Sequence, residues 1–147
     1  MRASRWCLLV LLLSALLSAP AGMAQDAMDH DLLEVTVPQL HQMYRDHKYT
    51  VTQVVQWYLA RIAKYNGIYR AVQNVDSAGA LATAAREDAE ATPHGALWGI
   101  PIVTKANTSV KGLVTTDGWR GYIIPGHELM APKDADIVAR LDRKSVV

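Results

Sequence analysis

Cysteine is nearly absent from this chain. The only one among 147 residues is Cys7, which lies in an N-terminal segment that has the layout of a removable leader. After removal of that segment, the chain would have no thiol, no disulfide and no cysteine ligand for a metal ion. A chain without cysteine is compatible with an oxidising compartment.

A clear excess of one charge sign is also lacking. The chain has 15 Lys+Arg and 14 Asp+Glu. Removal of residues 1–24 takes away Arg2 and Arg5 and leaves 13 basic against 14 acidic residues. Nothing in this pattern indicates a nucleic-acid patch or an affinity for an anionic membrane surface. We therefore expect no nucleic-acid partner.

Metal-binding and phosphate-binding motifs are missing as well. The five histidines include no His-Glu-x-x-His pattern, and His41 and His47 would lie on different sides of a helix. Asp134 and Asp136 are typical of acidic residues in the first turn of a helix. No glycine-rich phosphate loop is present. The sequence thus predicts neither a metal nor a cofactor.

The longest hydrophobic run is confined to the N-terminus. A short basic segment precedes the almost wholly apolar residues 6–19, and small residues suited to cleavage follow as far as Ala24. This layout predicts a signal peptide over residues 1–24 and a secreted or periplasmic protein. A retained anchor is the alternative, but the run is short for a membrane span and polar sequence follows at once.

The last six residues differ in character from the rest. Residues 142–147 can be back-translated as GATCGGAAGAGCGTCGTG, which reads as a common sequencing adapter. We therefore expect residues 142–147 to be a non-native tail, with an ordinary basic tail as the alternative. For this reason Ser145 is not a candidate nucleophile.

Helix signals are clearest after residue 35. Thr50 and Gln53 have the spacing of a capping box, and Asn66-Gly67 is typical of a helix end. Residues 25–35 are polar and mixed, which favours a loose lead-in. The predicted helices cover residues 36–47, 50–66, 77–91 and 134–141. In the last of these, Ile137, Val138 and Leu141 are expected to face inward.

Strand signals alternate with these helices. Residues 68–75 and 98–104 are predicted to form strands, and residues 122–124 are ambiguous. Alternating helices and short apolar strands favour an α/β fold. Because the strands are few, the helices would expose apolar stripes unless further sequence packs on them.

Lys105 is the most informative single residue. It ends the apolar run of residues 99–104, where an ammonium must either reach solvent or lose its charge. A lysine that acts as a base near neutrality needs its pKa lowered by about three pH units from about 10.4, which costs roughly 4 kcal/mol. A structural lysine whose amine reaches solvent along its aliphatic stem is the alternative.

The surrounding residues resemble a known family. Residues 99–105, followed by Asn107, Gly112 and Thr115-Thr116, are similar to the first conserved block of the amidase signature family. Those enzymes are serine hydrolases that cleave carboxamides with a Ser–cis-Ser–Lys triad. The resemblance implies that Lys105 is catalytic. It also implies that residues 25–141 are the N-terminal portion of a mixed-sheet core flanked by helices, with a small-molecule or peptide amide as substrate.

The chain departs from the family pattern in two ways. Many members have an aspartate after the lysine, where this chain has Ala106. The Gly/Ser-rich segment that supplies both serines is expected after Leu141, which means that this chain holds one triad member of three. We therefore expect a truncated chain without turnover of its own.

Several neighbours of Lys105 have open interpretations. Asn107 either orients the lysine loop or is an ordinary turn residue, and Asn107-Thr108-Ser109 also matches a glycosylation sequon. Gly112 and the threonine pair are expected to shape the loop, and Asp117-Gly118 to form a turn. Trp119 lines a pocket or lies in the core or at the surface.

Two other functions remain open from the sequence. One is a small secreted binding or interaction protein in which Lys105 is structural. The other is a relative of the amidases that has lost its chemistry and only binds amides.

Overall fold

A computed structural model of the chain describes residues 21–90 and 95–141. The predicted cleavage segment is thus outside the described residues apart from its last four, and the predicted tail at 142–147 is outside them entirely. The helices within the described ranges are α1 (Ala21–Leu32), α2 (Val37–Arg45), α3 (Val51–Tyr69), α4 (Ser77–Asp88) and α5 (Asp136–Leu141), together with a 3-10 helix at Arg120–Ile123. None of these helices is both long and apolar enough to cross a membrane.

The chain divides into two compact units, Met1–Val35 and Thr36–Val147. In the first unit, α1 occupies Ala21–Leu32, and Ala24 lies within this helix. The prediction of a loose lead-in over residues 25–35 is therefore wrong. This stretch has no proline or glycine, the two residues that most disfavour a helix interior.

The start of α3 confirms the predicted capping box, whereas the Thr36 side chain does not cap the backbone of α2. The Gln39 Oε1 atom accepts hydrogen bonds from the Thr36 backbone N–H at 2.9 Å and the Thr36 hydroxyl at 2.7 Å. At the start of α3, the Thr50 hydroxyl accepts from the Gln53 N–H at 3.1 Å, and Gln53 Oε1 accepts from the Thr50 N–H at 2.9 Å. The bonds at the start of α3 are reciprocal, and they satisfy two backbone donors that have no partner within the helix.

The end of α3 differs from the prediction. The helix continues through Gly67 to Tyr69, and Arg70 takes the left-handed cap conformation at φ 49° and ψ 39°. Asn66 does not end the helix. Its side chain instead donates to the Val72 carbonyl at 2.7 Å and accepts from the Val72 N–H at 2.9 Å, which holds the following chain against the last turn.

Helix α4 packs against α3 and supplies caps for it. The Asp76 side chain caps α4 by accepting from the Gly79 N–H at 2.9 Å. At the other end, the Asp88 carboxylate accepts from the Val51 N–H at 2.7 Å and the Thr52 N–H at 3.0 Å. The last turn of α4 is thereby fixed to the first turn of α3.

The predicted strands do not form within the described ranges. Ile68 and Tyr69 belong to α3, and residues 122–123 belong to the 3-10 helix. Across residues 98–104, pairing is limited to an isolated bridge at Pro101, and the Val103 side chain is 70% exposed. A strand requires a partner for its backbone, and the described residues provide none for Val103 or Thr104. The mixed sheet is therefore not confirmed.

The core of the second unit lies between α2, α3 and α4. Among the described residues it includes Leu40, Tyr44, Val51, Val54, Val55, Trp57, Ala84 and Trp98, with Ala131 and Val138 also buried. In α5, Val138 faces inward as predicted and is 2% exposed, but Ile137 is 60% exposed, which makes that part of the prediction wrong. A six-residue helix has one buried stripe, and Ile137 lies off it. Ile68 and Tyr69 at the end of α3 are also exposed.

Candidate functional site

The site begins at Gly99, which hydrogen bonds from α2 and α4 hold in place. The Tyr44 hydroxyl in α2 donates to the Gly99 carbonyl at 2.7 Å. The Gly99 N–H donates to Glu87 Oε2 in α4 at 2.8 Å, and His41 Nε2 lies 2.8 Å from the Trp98 carbonyl. Because Gly99 and Glu87 are both buried, these bonds are shielded from water. They fix the point from which the chain runs toward Lys105.

Glycine is required at position 99 for two reasons. Its φ angle is +70°, a conformation that side chains rarely adopt. A Cβ atom added there would lie 2.7 Å from Tyr44 Cε2 and 3.1 Å from Val51 Cγ2. The close approach of the backbone to α2 and α3 therefore depends on the missing side chain.

Burial raises the pKa of Tyr44 well above its usual value of about 10, and the nearby carboxylates of Asp88 and Glu87 raise it further. The tyrosinate is disfavoured because it would be both desolvated and close to negative charge. The neutral hydroxyl is thus the form that donates to Gly99 across the physiological range.

This shift predicts alkaline destabilisation. Above about pH 10 the unfolded chain loses the Tyr44 proton while the folded chain keeps it, so the free energy of unfolding falls as pH rises, by up to about 1.4 kcal/mol per pH unit for this group. Tyr44→Phe should remove that part of the pH dependence and cost about 1 kcal/mol at neutral pH through the lost hydrogen bond. Urea unfolding between pH 7 and 11 measures both effects.

Tyr69→Phe is the matched control, because Tyr69 is 71% exposed. It should leave the alkaline slope unchanged. An equal slope in wild type and Tyr44→Phe would contradict the assignment to Tyr44. Burial also raises the pKa of Tyr58, and that residue contributes to the slope that remains.

Lys105 lies at the far end of the segment that starts at Gly99. Its side chain is exposed, and no ion pair joins it to a carboxylate of the described residues. The expected position at the end of a buried strand is therefore not observed. The reason is the same as for the absent strand, since nothing in the described ranges pairs with or covers residues 103–105.

Backbone hydrogen bonds, rather than side-chain packing, hold the Lys105 loop. The Lys105 carbonyl accepts from the Thr108 N–H at 2.8 Å and closes a turn. The Ala106 carbonyl accepts from the N–H groups of Thr116 at 3.0 Å and Asp117 at 3.2 Å. The peptide that follows Lys105 is thus fixed to a segment ten residues further along the chain.

The glycine and threonine positions behave largely as the sequence indicates. Gly112 has φ +79°, and Asp117 and Gly118 have φ +50° and +80°, as a turn with left-handed residues requires. Thr116 is only 2% exposed, and its hydroxyl donates to Gln73 Oε1 at 2.8 Å. Asn107 is exposed and accepts only a long bond of 3.4 Å from the Thr108 hydroxyl, which matches an ordinary turn asparagine.

The segment after Gly112 is held from the C-terminal side. The Gly112 N–H donates to the Ala131 carbonyl at 2.9 Å, and the Ala131 N–H donates to the Leu113 carbonyl at 2.9 Å. The Val114–Met130 bridge is antiparallel. Asp134 Oδ1 accepts from the Lys111 N–H. These contacts place Lys111 and Val114 opposite α3, where they line the same groove as Lys105.

An open groove of about 730 Å³ lies along this site. Val55, Leu59 and Ile62 of α3 form an apolar wall, and the opposite side consists of residues 101–108 with parts of 110–118. The charged residues on the lining are Arg70, Lys105, Lys111, Asp76 and Asp117. An amine at the edge of an apolar groove can donate a hydrogen bond or, when neutral, accept a proton.

Trp119 is not part of the groove lining. It is 61% exposed and packs edge to face against Tyr122, with ring centroids 4.6 Å apart, so the surface alternative is the one observed. Across the described ranges no group of three or more His, Cys, Asp or Glu residues could hold a metal ion. His41 bonds to the backbone of Trp98, which gives it a structural contact.

The roles of Tyr44, Glu87, Asp88, Gln73 and Asn74 were not predicted from the sequence. Asn74 Nδ2 donates to the Val114 carbonyl at 2.7 Å, and the other four bind Gly99, α3 or Thr116 as described above. All of these contacts join residues more than ten positions apart. The only sequence signal was Gly99 itself, a glycine within an apolar run, which often marks a close backbone approach.

Comparison with known proteins identifies the class. A model of the family described as Amidase matches residues 53–147, which is more than half of the chain. The chain belongs to the amidase family. The matched range includes α3 from Gln53 onward, α4 and the whole Lys105 loop, which are elements that line the groove.

Individual relatives agree with this result. A glutamyl-tRNA(Gln) amidotransferase subunit from Pediococcus pentosaceus is 34% identical over 84 residues, which is 56% of this chain and 17% of that protein. The protein of the same name from Cutibacterium acnes is 32% identical over 120 residues, 76% of this chain and 22% of that protein. The chain thus spans about a fifth of the length of these relatives.

A solved structure shares the fold. The crystal structure of an amidase family protein from Bacillus anthracis str. Ames superposes with a TM-score of 0.74 and 22% sequence identity. The match covers 93% of this chain and 27% of that protein. The arrangement of helices and loops described above is therefore a known amidase-family fold element.

Proposed function

We propose that this chain carries the lysine-bearing part of an exported amidase that hydrolyses the C–N bond of a carboxamide. Membership of the amidase family supports the reaction class. The observation that carries the proposal is the Lys105 loop, which two backbone carbonyls hold at the edge of an apolar groove. Export rests on the leader-like residues 1–24.

The proposed mechanism uses Lys105 as a base. Its neutral amine takes a proton through a cis-serine, and a second serine then attacks the amide carbonyl. An acyl-enzyme forms, the amine leaves, and water completes the hydrolysis. Both serines are those that the family resemblance implies, in a Gly/Ser-rich segment expected after Leu141. Substrates would be small-molecule or peptide amides.

The exposure of Lys105 adds a condition to this mechanism. The mechanism uses the neutral amine, and burial is what disfavours the charged form. We propose that further polypeptide covers the groove beside Val55, Leu59 and Ile62 and removes water from Lys105. The charged residues nearest to Lys105 in the sequence, Lys111 and Asp117, also line this groove.

The 147-residue chain by itself is therefore expected to show no turnover. It should be assayed against simple aliphatic and aryl amides beside the intact gene product, with release of ammonia or amine as the readout. The intact product should hydrolyse at least one of these amides, and the 147-residue chain none. Clear hydrolysis by the shorter chain would contradict both the triad assignment and the expected position of the serines.

No observation favours the rival function of a small secreted binding protein. That function predicts a chain that folds cooperatively and presents Lys105 only as a surface residue. The match of residues 53–147 to an enzyme family supports the amidase interpretation instead.

A further inference from the structure

The Lys105 loop is hydrogen-bonded to the buried residue Thr116. Because the Lys105 side chain is exposed, packing does not determine where its amine lies. The next peptide fixes the backbone from which that side chain extends, because the Ala106 carbonyl accepts from the Thr116 and Asp117 N–H groups. A shift of Thr116 would therefore shift the backbone that carries the lysine.

Thr116 joins three segments that line the groove. Its backbone N–H binds Ala106 in the Lys105 loop. Its hydroxyl donates to Gln73 Oε1 in the segment after α3 at 2.8 Å and accepts from the Gly118 N–H at 3.2 Å. At 2% exposure it is one of the two buried polar or charged residues among the described residues, with Glu87 as the other.

We propose that Thr116 is the positioning residue for Lys105, acting through its hydroxyl and the Ala106 peptide. The inference rests on the proposed function, since it assigns to Thr116 the geometry of the proposed base. Serine at position 116 keeps both hydrogen bonds of the hydroxyl. Valine has nearly the same shape as threonine but cannot form these hydrogen bonds. Comparison of the serine and valine variants therefore separates the effect of hydrogen bonding from that of packing.

The first test uses the 147-residue chain and needs no activity. Amide hydrogen exchange at Thr108 reports the turn closed by the Lys105 carbonyl, and exchange at Asp117 reports the bond to Ala106. In Thr116→Val both amides should exchange roughly tenfold faster, because Gln73 Oε1 and the Gly118 N–H lose the hydroxyl that binds them. In Thr116→Ser both should stay within about twofold of wild type.

Thr115→Val is the matched control. Thr115 is the neighbouring threonine, and among the described residues its hydroxyl makes no hydrogen bond. This substitution should leave the hydrogen-exchange rates of the Thr108 and Asp117 amides unchanged. The Val54 amide inside α3 serves as an internal reference and should not respond in any variant, since a general loss of stability would accelerate it as well. Unchanged exchange at Thr108 and Asp117 in Thr116→Val would overturn the inference.

If Thr116→Val does not fold, Gln73→Met replaces it. Gln73 is exposed, and its substitution removes the acceptor of the Thr116 hydroxyl while the hydroxyl itself remains. Exchange at Asp117 should then rise by about threefold, since one of two hydrogen bonds is lost. A Gln73→Met chain with wild-type exchange would also overturn the inference.

The second test uses the intact gene product and an amide that it hydrolyses. Thr116→Val should lower kcat by roughly tenfold or more with KM within about twofold, because a displaced base affects the chemical step more than substrate binding. Thr116→Ser should restore kcat. If Lys105→Met has no effect, the proposed function fails. If Lys105→Met abolishes activity and Thr116→Val leaves kcat unchanged, only the positioning inference fails.

Discussion

Replacement of Lys105 by methionine in the intact gene product is expected to lower amide hydrolysis by roughly 10²- to 10⁴-fold, the usual contribution of a general base. Methionine has a similar length and no amine, so the groove keeps its shape while the proton acceptor is lost. Hydrolysis of a chromogenic anilide over a range of substrate concentrations measures the effect. The loss should lie in kcat, because the base acts on the chemical step.

Lys111→Met is the control for this substitution. Lys111 also lines the groove and is exposed, so it matches Lys105 in charge and surroundings. The control should reduce kcat/KM by no more than about threefold, through the change in local charge alone. Activity of Lys105→Met within threefold of wild type would contradict the role of Lys105 as the base.

Gly99→Ala is expected to have the largest effect on stability. The left-handed conformation costs a non-glycine residue roughly 1–2 kcal/mol, and forcing a methyl group into a packed core costs about 1–3 kcal/mol more. The Tyr44 ring, which the new Cβ would meet at 2.7 Å, is tethered to the Gly99 carbonyl and has little freedom to move aside. A loss of roughly 2–5 kcal/mol is comparable to the whole stability of a small domain.

Gly67→Ala provides the opposite control. Gly67 lies inside α3, and a Cβ atom there would meet nothing within 4 Å. Alanine should stabilise the chain by about 0.5–1 kcal/mol, because glycine is a poor residue for a helix interior. Urea unfolding followed by the fluorescence of the buried Trp98 measures both variants. A Gly99→Ala midpoint at or above that of wild type would contradict the packing at Gly99.

The features that the sequence predicted correctly are local ones. The bonds between Thr50 and Gln53 span three residues, so the spacing alone determines them. The same holds for the turn at Asp117-Gly118. Such motifs are satisfied by their own neighbours whatever the rest of the chain does.

The features that the sequence missed depend on distant partners. Residues 98–104 have the composition of a buried strand, but Val103 has no neighbouring strand in the described ranges and its side chain is exposed. Likewise, no local sequence pattern predicts that Glu87 accepts a hydrogen bond from Gly99 or that Thr116 donates one to Gln73. The Lys105 block could be recognised because the family resemblance carries its residues as a set. The exposure of the Lys105 side chain could not be predicted, because burial depends on which other parts of the protein pack over that side chain.

The caps at the start of α3 have a consequence for anion recognition. The first N–H groups of the helix, at Val51, Thr52 and Gln53, donate to Asp88 and to the Thr50 hydroxyl. The positive end of the helix dipole is therefore already neutralised by a carboxylate of the same chain. A phosphate or an oxyanion that develops during a reaction finds no vacant donors there, so any such charge must be stabilised elsewhere in the protein.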